Sequence, residues 1–408
     1  MPRRLVIWLL FLVLAPAAAF PAARPKVRTI CAFVRIDRAE YRAQIGQALA
    51  MLRAARKAYE QDGWEVETVR ITTQPFPEYV KGVSPEEALR FLMELDALAA
   101  REGFLLNIGP AMMSDADDPA MMELLGEVLS RAQIINGSAS IGGDDGVHWK
   151  AVRAAARLVK HVEEESPHGQ GTFSFAATAM MPPFSPFYPA SFHTSPGHRF
   201  AVGLEVANVV EGVLGETRDP VAAAQMLSAE LDRHARQAEA VAIGHARSSG
   251  WEYVGLDPTP APLMDVSIGA AIEKFTGHRL GSSGTITAAR LVTEAVKSVR
   301  VKQVGYSGLM LPVMEDRRIA QRWSEGALSL DALLAYSAVC ATGLDTVPLP
   351  GDVTEEQIAR IFGDLASLAH KWKKPLAARL QPAKGKRAGE RTEFSDPYLE
   401  NATLQPLP

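Results

Sequence analysis

Glu315 and Asp316 stand side by side in VMEDRR, residues 313–318, directly after the apolar run LMLP. Adjacent carboxylates at the end of a strand can act as general acid and base, or supply oxygen ligands to a hard cation such as magnesium or calcium. Two arginines follow them, so they also read as a helix start in which acids oppose the positive end of the helix dipole. Asp345, behind the Gly-Leu break of CATGLD, sits between helix and strand, where an acid serves either as a cap or as a site ligand. Upstream, GSSGT at 281–285 leads into the helical pattern ITAARLVTEAV. The free N–H groups of a first helical turn, with the hydroxyls of Ser282, Ser283 and Thr285 and the open backbone at Gly284, form an anion cradle. The competing reading is an ordinary capped helix, since the Gly-Lys-Ser/Thr ending of a nucleotide-binding loop is missing. Asp265 and Tyr306 complete the candidate ligand-binding set.

His193 and His198, in SFHTSPGHRF, do not have zinc-site spacing, and the chain has neither HExxH nor CxxC. Ser195 and His198 lack the G-x-S-x-G elbow of a hydrolase, and His198 reads as solvated. Cys340 ends an apolar helical stretch, where the helix dipole disfavours a thiolate. Its neighbours Leu333, Tyr336, Ser337 and Leu344 point to packing, so Cys340→Ala should cost stability, whereas Asp316→Asn should cost function.

The frame for these residues is an alternation of short β-branched runs with long Ala/Leu-rich helical stretches. VRTICAFVRI, WEVETVRITT, FLLNIG, QIINGSASI, FAVGLEVANVV, WEYVGLD and PLAARLQ read as strands. Helices are expected over 40–61, from Ser84 to about Arg101, after DADDP at 115–119, from near Asp145, and over 219–248, 265–275, 284–298, 317–323, 328–340 and 354–372. Between them MMPPFSPFYPASFHTSPGH, 180–198, is too rich in proline for regular structure, and its aromatics need burial, so it should line something. Such alternation implies an α/β protein with a largely covered sheet or barrel.

Arg3 and Arg4, the run LVIWLLFLVLAP and Ala17-Ala18-Ala19 have the form of a signal peptide over residues 1–19, leaving a mature domain of residues 20–408. The apolar run is shorter than the roughly 20 residues that span a bilayer, so no stable membrane anchor is expected after cleavage. The chain carries a net charge of −4, and its basic residues form no run longer than short stretches such as the KGKR turn at 384–387, which argues against nucleic acid as a partner. A small-molecule ligand is the expected partner, and a homo-oligomer is allowed. Cys31 and Cys340 make no disulfide framework, and their pairing stays open.

GLDPTPAP at 255–262, GSSGTITAA at 281–289, VGYSGLMLPVMED and LLAYSAVCATGLDTVPLPGD within 303–352, and AARLQPAKGKRAGE at 377–390 together resemble domain-of-unknown-function family 711, also called uncharacterised protein family 0210. The resemblance runs from RTI at 28–30 to the turn near Glu390. It implies a ten-stranded α/β barrel like that of pyruvate formate-lyase, with a loop reaching inside, in a single large domain. The Glu315–Asp316 pair and the Phe192–His193 pair recur in the family, so Asp316, Glu315, Asp345 and His193 are the expected catalytic residues. Glycyl radical chemistry fits poorly, because an exported protein would meet oxygen and Cys340 follows Gly305, whereas in those enzymes the cysteine comes first. Fold alone does not fix function. The expectation is a periplasmic or secreted enzyme acting on a small polar or anionic metabolite in a barrel pocket, by acid/base or cation-assisted chemistry with a divalent cation as the cofactor considered. The alternative is a binding protein without turnover. GLDPTP, GSSGT, YSGLMLPVMED and CATGLD should meet at one end of the barrel, with Asp316 and Asp345 in the pocket walls.

Overall fold

The computed structural model describes residues 24–407. The expected leader peptide lies outside them. Ten strands form one mixed sheet: β1 (Lys26–Val34), β2 (Val66–Thr73), β3 (Leu105–Pro110), β4 (Ile135–Gly143), β5 (Gly146–Val147), β6 (Phe175–Ala179), β7 (Arg199–Glu205), β8 (Glu252–Asp257), β9 (Gly343–Pro350) and β10 (Leu376–Ala383). Their order is β8-β7-β1-β2-β3-β4-β6-β10-β9, with β5 a short appendage of β4. The run β1-β2-β3-β4-β6 is parallel throughout, β7 and β8 are parallel to each other, and so are β9 and β10. Antiparallel pairing occurs where β7 meets β1 and where β10 meets β6. The edge strands β8 and β9 are not paired with each other. One segment touches both: Gln303 forms a parallel bridge with Leu256 and Pro312 one with Asp345.

Strand alternation sorts each strand into two faces. Ile30, Ala32 and Val34 of β1 enter the large helix-covered core, whereas Cys31 and Phe33 join Ala201, Val254, Phe184 and Tyr188 on the opposite face. β10 behaves alike, sending Leu376, Ala378 and Leu380 outward to the helices and Ala377 to the other side. The helices close the first face with apolar stripes at spacings of three and four, as in Ile45, Ala48, Leu49, Leu52, Ala55 and Tyr59 of the helix Tyr41–Gln61. Their ends follow ordinary capping. Ser84 accepts from the Glu87 amide ahead of Pro85, and Thr354 with Gln357 forms a capping box. No helix of the described residues is long and apolar enough to cross a membrane.

Two strands depart from the expected pattern. β6, FAATA, is five residues dominated by alanine. β9, GLDTVPLP, carries a glycine, an aspartate and two prolines, and such a sequence is tolerated because β9 lies at the sheet edge. The run FAVGLEVANVV also divides: the strand stops at Glu205, and the helix Ala207–Glu216 begins within ANVV.

Candidate functional site

The loop 180–198 lies on the face turned away from the helices and is fastened there by strand side chains. Asn107 Nδ2 donates to the Pro189 carbonyl at 2.7 Å, and Tyr188 Oη donates to the Ile71 carbonyl at 2.5 Å. Thr72 Oγ1 lies 3.1 Å from Tyr188 Oη and 2.7 Å from Ser191 Oγ, with the Cys31 thiol 3.3 Å away. Burial pushes that thiol above its ordinary range. Below the loop opens a cavity of about 520 Å³, to which the loop contributes Phe187, Tyr188 and Pro189.

Three arginines face this cavity, one each from β1, β2 and β10. Arg379 lies between two carboxylates, its Nη2 on Glu315 and its Nε 2.5 Å from Asp345, with the ring of Phe173 5.2 Å beneath it. Burial opposes its charge, but the two carboxylates outweigh burial and hold the guanidinium protonated. Glu315 is pushed above the usual carboxylate range, mainly by burial and further by Asp345, while Arg379 pulls the other way. Arg28 is held by Glu67 at 3.0 Å and Glu205 at 2.7 Å. Glu205 is raised to about 7 by burial, against the pull of Arg28. Arg70 has no carboxylate partner among the described residues. Its Nε donates to Thr68 Oγ1 at 3.1 Å, its Nη1 approaches the Pro186 carbonyl at 3.4 Å, and the Tyr188 ring lies 4.9 Å from it.

The cavity therefore takes up Glu315, Asp345 and Tyr306 from the expected residues. Asp316 faces away and requires correction. Its carboxylate is fully buried and accepts from Ser267 Oγ at 2.6 Å and from the amides of Gly269, Arg318 and Ile319 at 3.0 to 3.1 Å. One side chain thus ties together the starts of the helices Ile268–Thr276 and Arg317–Ser324, and none of the motif's helix-start signal is left for the cavity. Ser282, Ser283 and Gly284 are exposed on a turn that does not line the cavity, and Thr285 Oγ1 accepts from the Gly281 amide. Asp265 is exposed and pairs with Arg317. His193 is buried outside the cavity, 3.2 Å from the Val34 carbonyl and against Phe33 and Phe184; burial lowers it to about 4, which keeps it neutral. His198 stacks on Trp251. Cys31 and Cys340 are both free thiols, and Cys340 sits in the main core. Gly305 lies against Asp257: its φ of +71° suits glycine, and a Cβ there would collide with the carboxylate that accepts from the Tyr306 and Ser307 amides.

Among the described residues no cluster of three or more His, Cys, Asp or Glu is arranged to hold a metal ion. Between Glu315 and Asp345, the space a shared cation would occupy is filled by the Arg379 guanidinium. Sequence reading missed Arg28, Arg70 and Arg379. Their signal is a lone arginine inside an apolar or β-branched run, in VRTI, VRIT and AARL; strand alternation turns Arg70 and Arg379 to the face opposite the helices, and the irregularity of β1 between Val27 and Thr29 brings Arg28 to the same face.

The family described as Uncharacterised ACR (DUF711) matches residues 21–395. The chain belongs to this family. A UPF0210 protein of Pyrobaculum aerophilum is 30% identical over 370 residues, covering 86% of this chain and 81% of its own. One from Pyrobaculum arsenaticum is 32% identical over 357 residues, 83% of this chain and 78% of its own. One from Bifidobacterium longum subsp. infantis is 28% identical over 360 residues, 83% and 79%. The DUF711 match spans all three cavity arginines and the Glu315–Asp345 wall.

Proposed function

We propose that this DUF711 protein is an enzyme acting on a small, polar, anionic molecule in the cavity by acid/base chemistry, with Glu315 and Asp345 as the proton-exchanging groups and Arg379 holding both. The observation that carries this reading is the pair of carboxylates on one guanidinium in a cavity wall. Burial and the neighbouring Asp345 raise the proton affinity of Glu315 above that of an ordinary carboxylate, against the pull of Arg379, and a raised carboxyl of this kind is suited to giving and taking a proton. Acid/base chemistry is preferred to cation-assisted chemistry because Arg379 already stands between the carboxylates. The second reading, a binding protein without turnover, is favoured by the pairing of Glu67, Glu315 and Asp345 with arginines, since a fully paired wall can bind without reacting.

The test is proton exchange. Purified protein is incubated in D2O with a panel of small organic acids, and NMR follows loss of exchangeable C–H signals. Exchange by the wild type that Glu315→Gln abolishes supports the enzyme; binding without exchange supports the second reading. Two structural proposals accompany this one. The segment 302–316, bridged to β8 at one end and β9 at the other, is taken to complete the sheet into a barrel of the pyruvate formate-lyase type. Export is taken from the leader-like residues 1–19.

A further inference from the structure

We infer that the molecule bound in the cavity is a small monocarboxylate, anchored by Arg70 and laid against Tyr188, Phe187 and Met310. The inference rests on the cavity being the ligand site, and narrows what that ligand is. Arg28 and Arg379 each hold two carboxylates, so neither has charge to spare. Arg70 is the exception among the cavity arginines. It is 7% exposed, and its only hydrogen bonds within the described residues go to Thr68 and Pro186. A guanidinium carries five N–H donors, so the outer Nη2 edge remains free towards the cavity. A buried charge without a counter-charge is costly, and the Tyr188 ring compensates only in part. Two further wall groups lack partners among the described residues. Thr342 Oγ1 is buried with no hydrogen bond, and the Tyr306 phenol makes none. A guanidinium edge, a buried hydroxyl and a phenol without protein partners among the described residues, on one set of walls, suit a bound molecule with an anionic head and additional acceptor or donor atoms.

The charge balance selects the head group. No lysine lines the cavity, and Glu67, Glu315, Asp345 and Asp396 share its walls. A single negative charge finds the free edge of Arg70, where two parallel N–H donors match a carboxylate. A second negative charge, as on a phosphate monoester, would find no free cation and would face those acids. Burial and the neighbouring Arg28 lower Arg70 to about 10, which leaves it charged at neutral pH. The apolar stretch of the lining, including Phe187, Met310, Leu105 and Ile134, suits a ligand body that is largely hydrocarbon.

The experiment measures binding by thermal shift and calorimetry, using propanoate, 2-oxobutanoate and benzoate, the matched amides propanamide and benzamide, and methyl phosphate. At least one monocarboxylate is expected to raise Tm saturably, and its amide is expected not to. Arg70→Met should weaken that carboxylate at least ~10-fold, with circular dichroism confirming the fold. Should Arg70→Met not fold, Arg70→Gln is measured in its place against the same expectation. No shift with any monocarboxylate, equal binding of an amide or of methyl phosphate, or unchanged affinity in the folded Arg70 variant would each overturn the inference. Glu315→Gln separates this from the enzymatic reading: carboxylate binding that survives there while wild-type exchange is absent sinks the acid/base proposal and leaves the monocarboxylate site standing. Exchange that persists with an amide and in the Arg70 variant does the reverse.

Discussion

Glu315 and Asp316 are adjacent, carry the same functional group and are both buried, yet they belong to different parts of the molecule. Glu315 enters the cavity and meets Arg379; Asp316 turns the other way and meets four hydrogen-bond donors at two helix starts. Burial pushes both upward, so titration alone would not tell them apart. What separates them is the partner. A carboxylate on a guanidinium beside another acid can release its grip on a proton without unfolding anything, whereas a carboxylate occupied by backbone amides is spent on structure.

The largest effect that could break this comparison comes from the guanidinium. Arg379→Met leaves Glu315 and Asp345 facing each other without a counter-charge, and removing one member of a buried ion network costs about 3–5 kcal/mol. The loss should shrink when Glu315→Gln is added, because one of the stranded charges is then gone. Urea titrations of the two single variants and the double would report this. Equal losses with and without Glu315→Gln would mean that the two carboxylates do not share the guanidinium.

Next in size is Asp316→Ala, which strips the acceptor from three amides and a hydroxyl and should cost about 3 kcal/mol. Cavity binding in the surviving folded protein should be unchanged. This reverses the expectation from sequence, in which Asp316→Asn silences function and spares stability. A folded Asp316 variant of wild-type stability that has lost binding would restore the earlier assignment. Cys340→Ala is smaller again, on the order of 1 kcal/mol, because it removes one buried sulfur from the core and touches no cavity group.

The helices were legible because their signals are local. A cap, a first-turn acid and a spacing of three and four can be read within one stretch, as in Ser84-Pro85-Glu86-Glu87. β6 and β9 were not legible, since alanine-rich FAATA and proline-bearing GLDTVPLP have weak strand propensity and owe their conformation to neighbours far away in sequence. Of the residues expected from the chain, Glu315, Asp345 and Tyr306 line the cavity, whereas Asp316, His193 and Asp265 do not. The anion cradle at GSSGT looked equally plausible, yet that turn is exposed and off the cavity. Arg70 escaped notice for the opposite reason. A lone arginine in VRIT carries no motif, and its meaning appears only when ten strands turn it away from the helices and leave it without an acid.

Glu205 gives the finest test of burial as the common cause, because its effect is read as a change with pH and not as a loss at one pH. It is held by Arg28 as Glu315 is by Arg379, with Glu67 taking the place of Asp345, and burial raises it to about 7. An ordinary glutamate titrates near ~4.3. Glu205 thus binds its proton more tightly in the folded chain than in the unfolded one. Its contribution to stability is complete below about pH 4.3 and is lost as pH rises through about 7. Glutamine at this position stays neutral throughout. Relative to Glu205→Gln, the wild type should therefore lose stability steadily from pH 5 to pH 7 and run parallel to it above pH 8. Other raised acids, including Asp257 at about 6, change stability in the same direction, but they are present in both proteins and cancel in the difference. Urea midpoints for both proteins at pH 5, 6, 7 and 8 measure that difference directly. Parallel curves across the whole range would show that Arg28 outweighs burial, and would remove burial as the reason that Glu315, in the matching position on Arg379, is pushed above the usual carboxylate range.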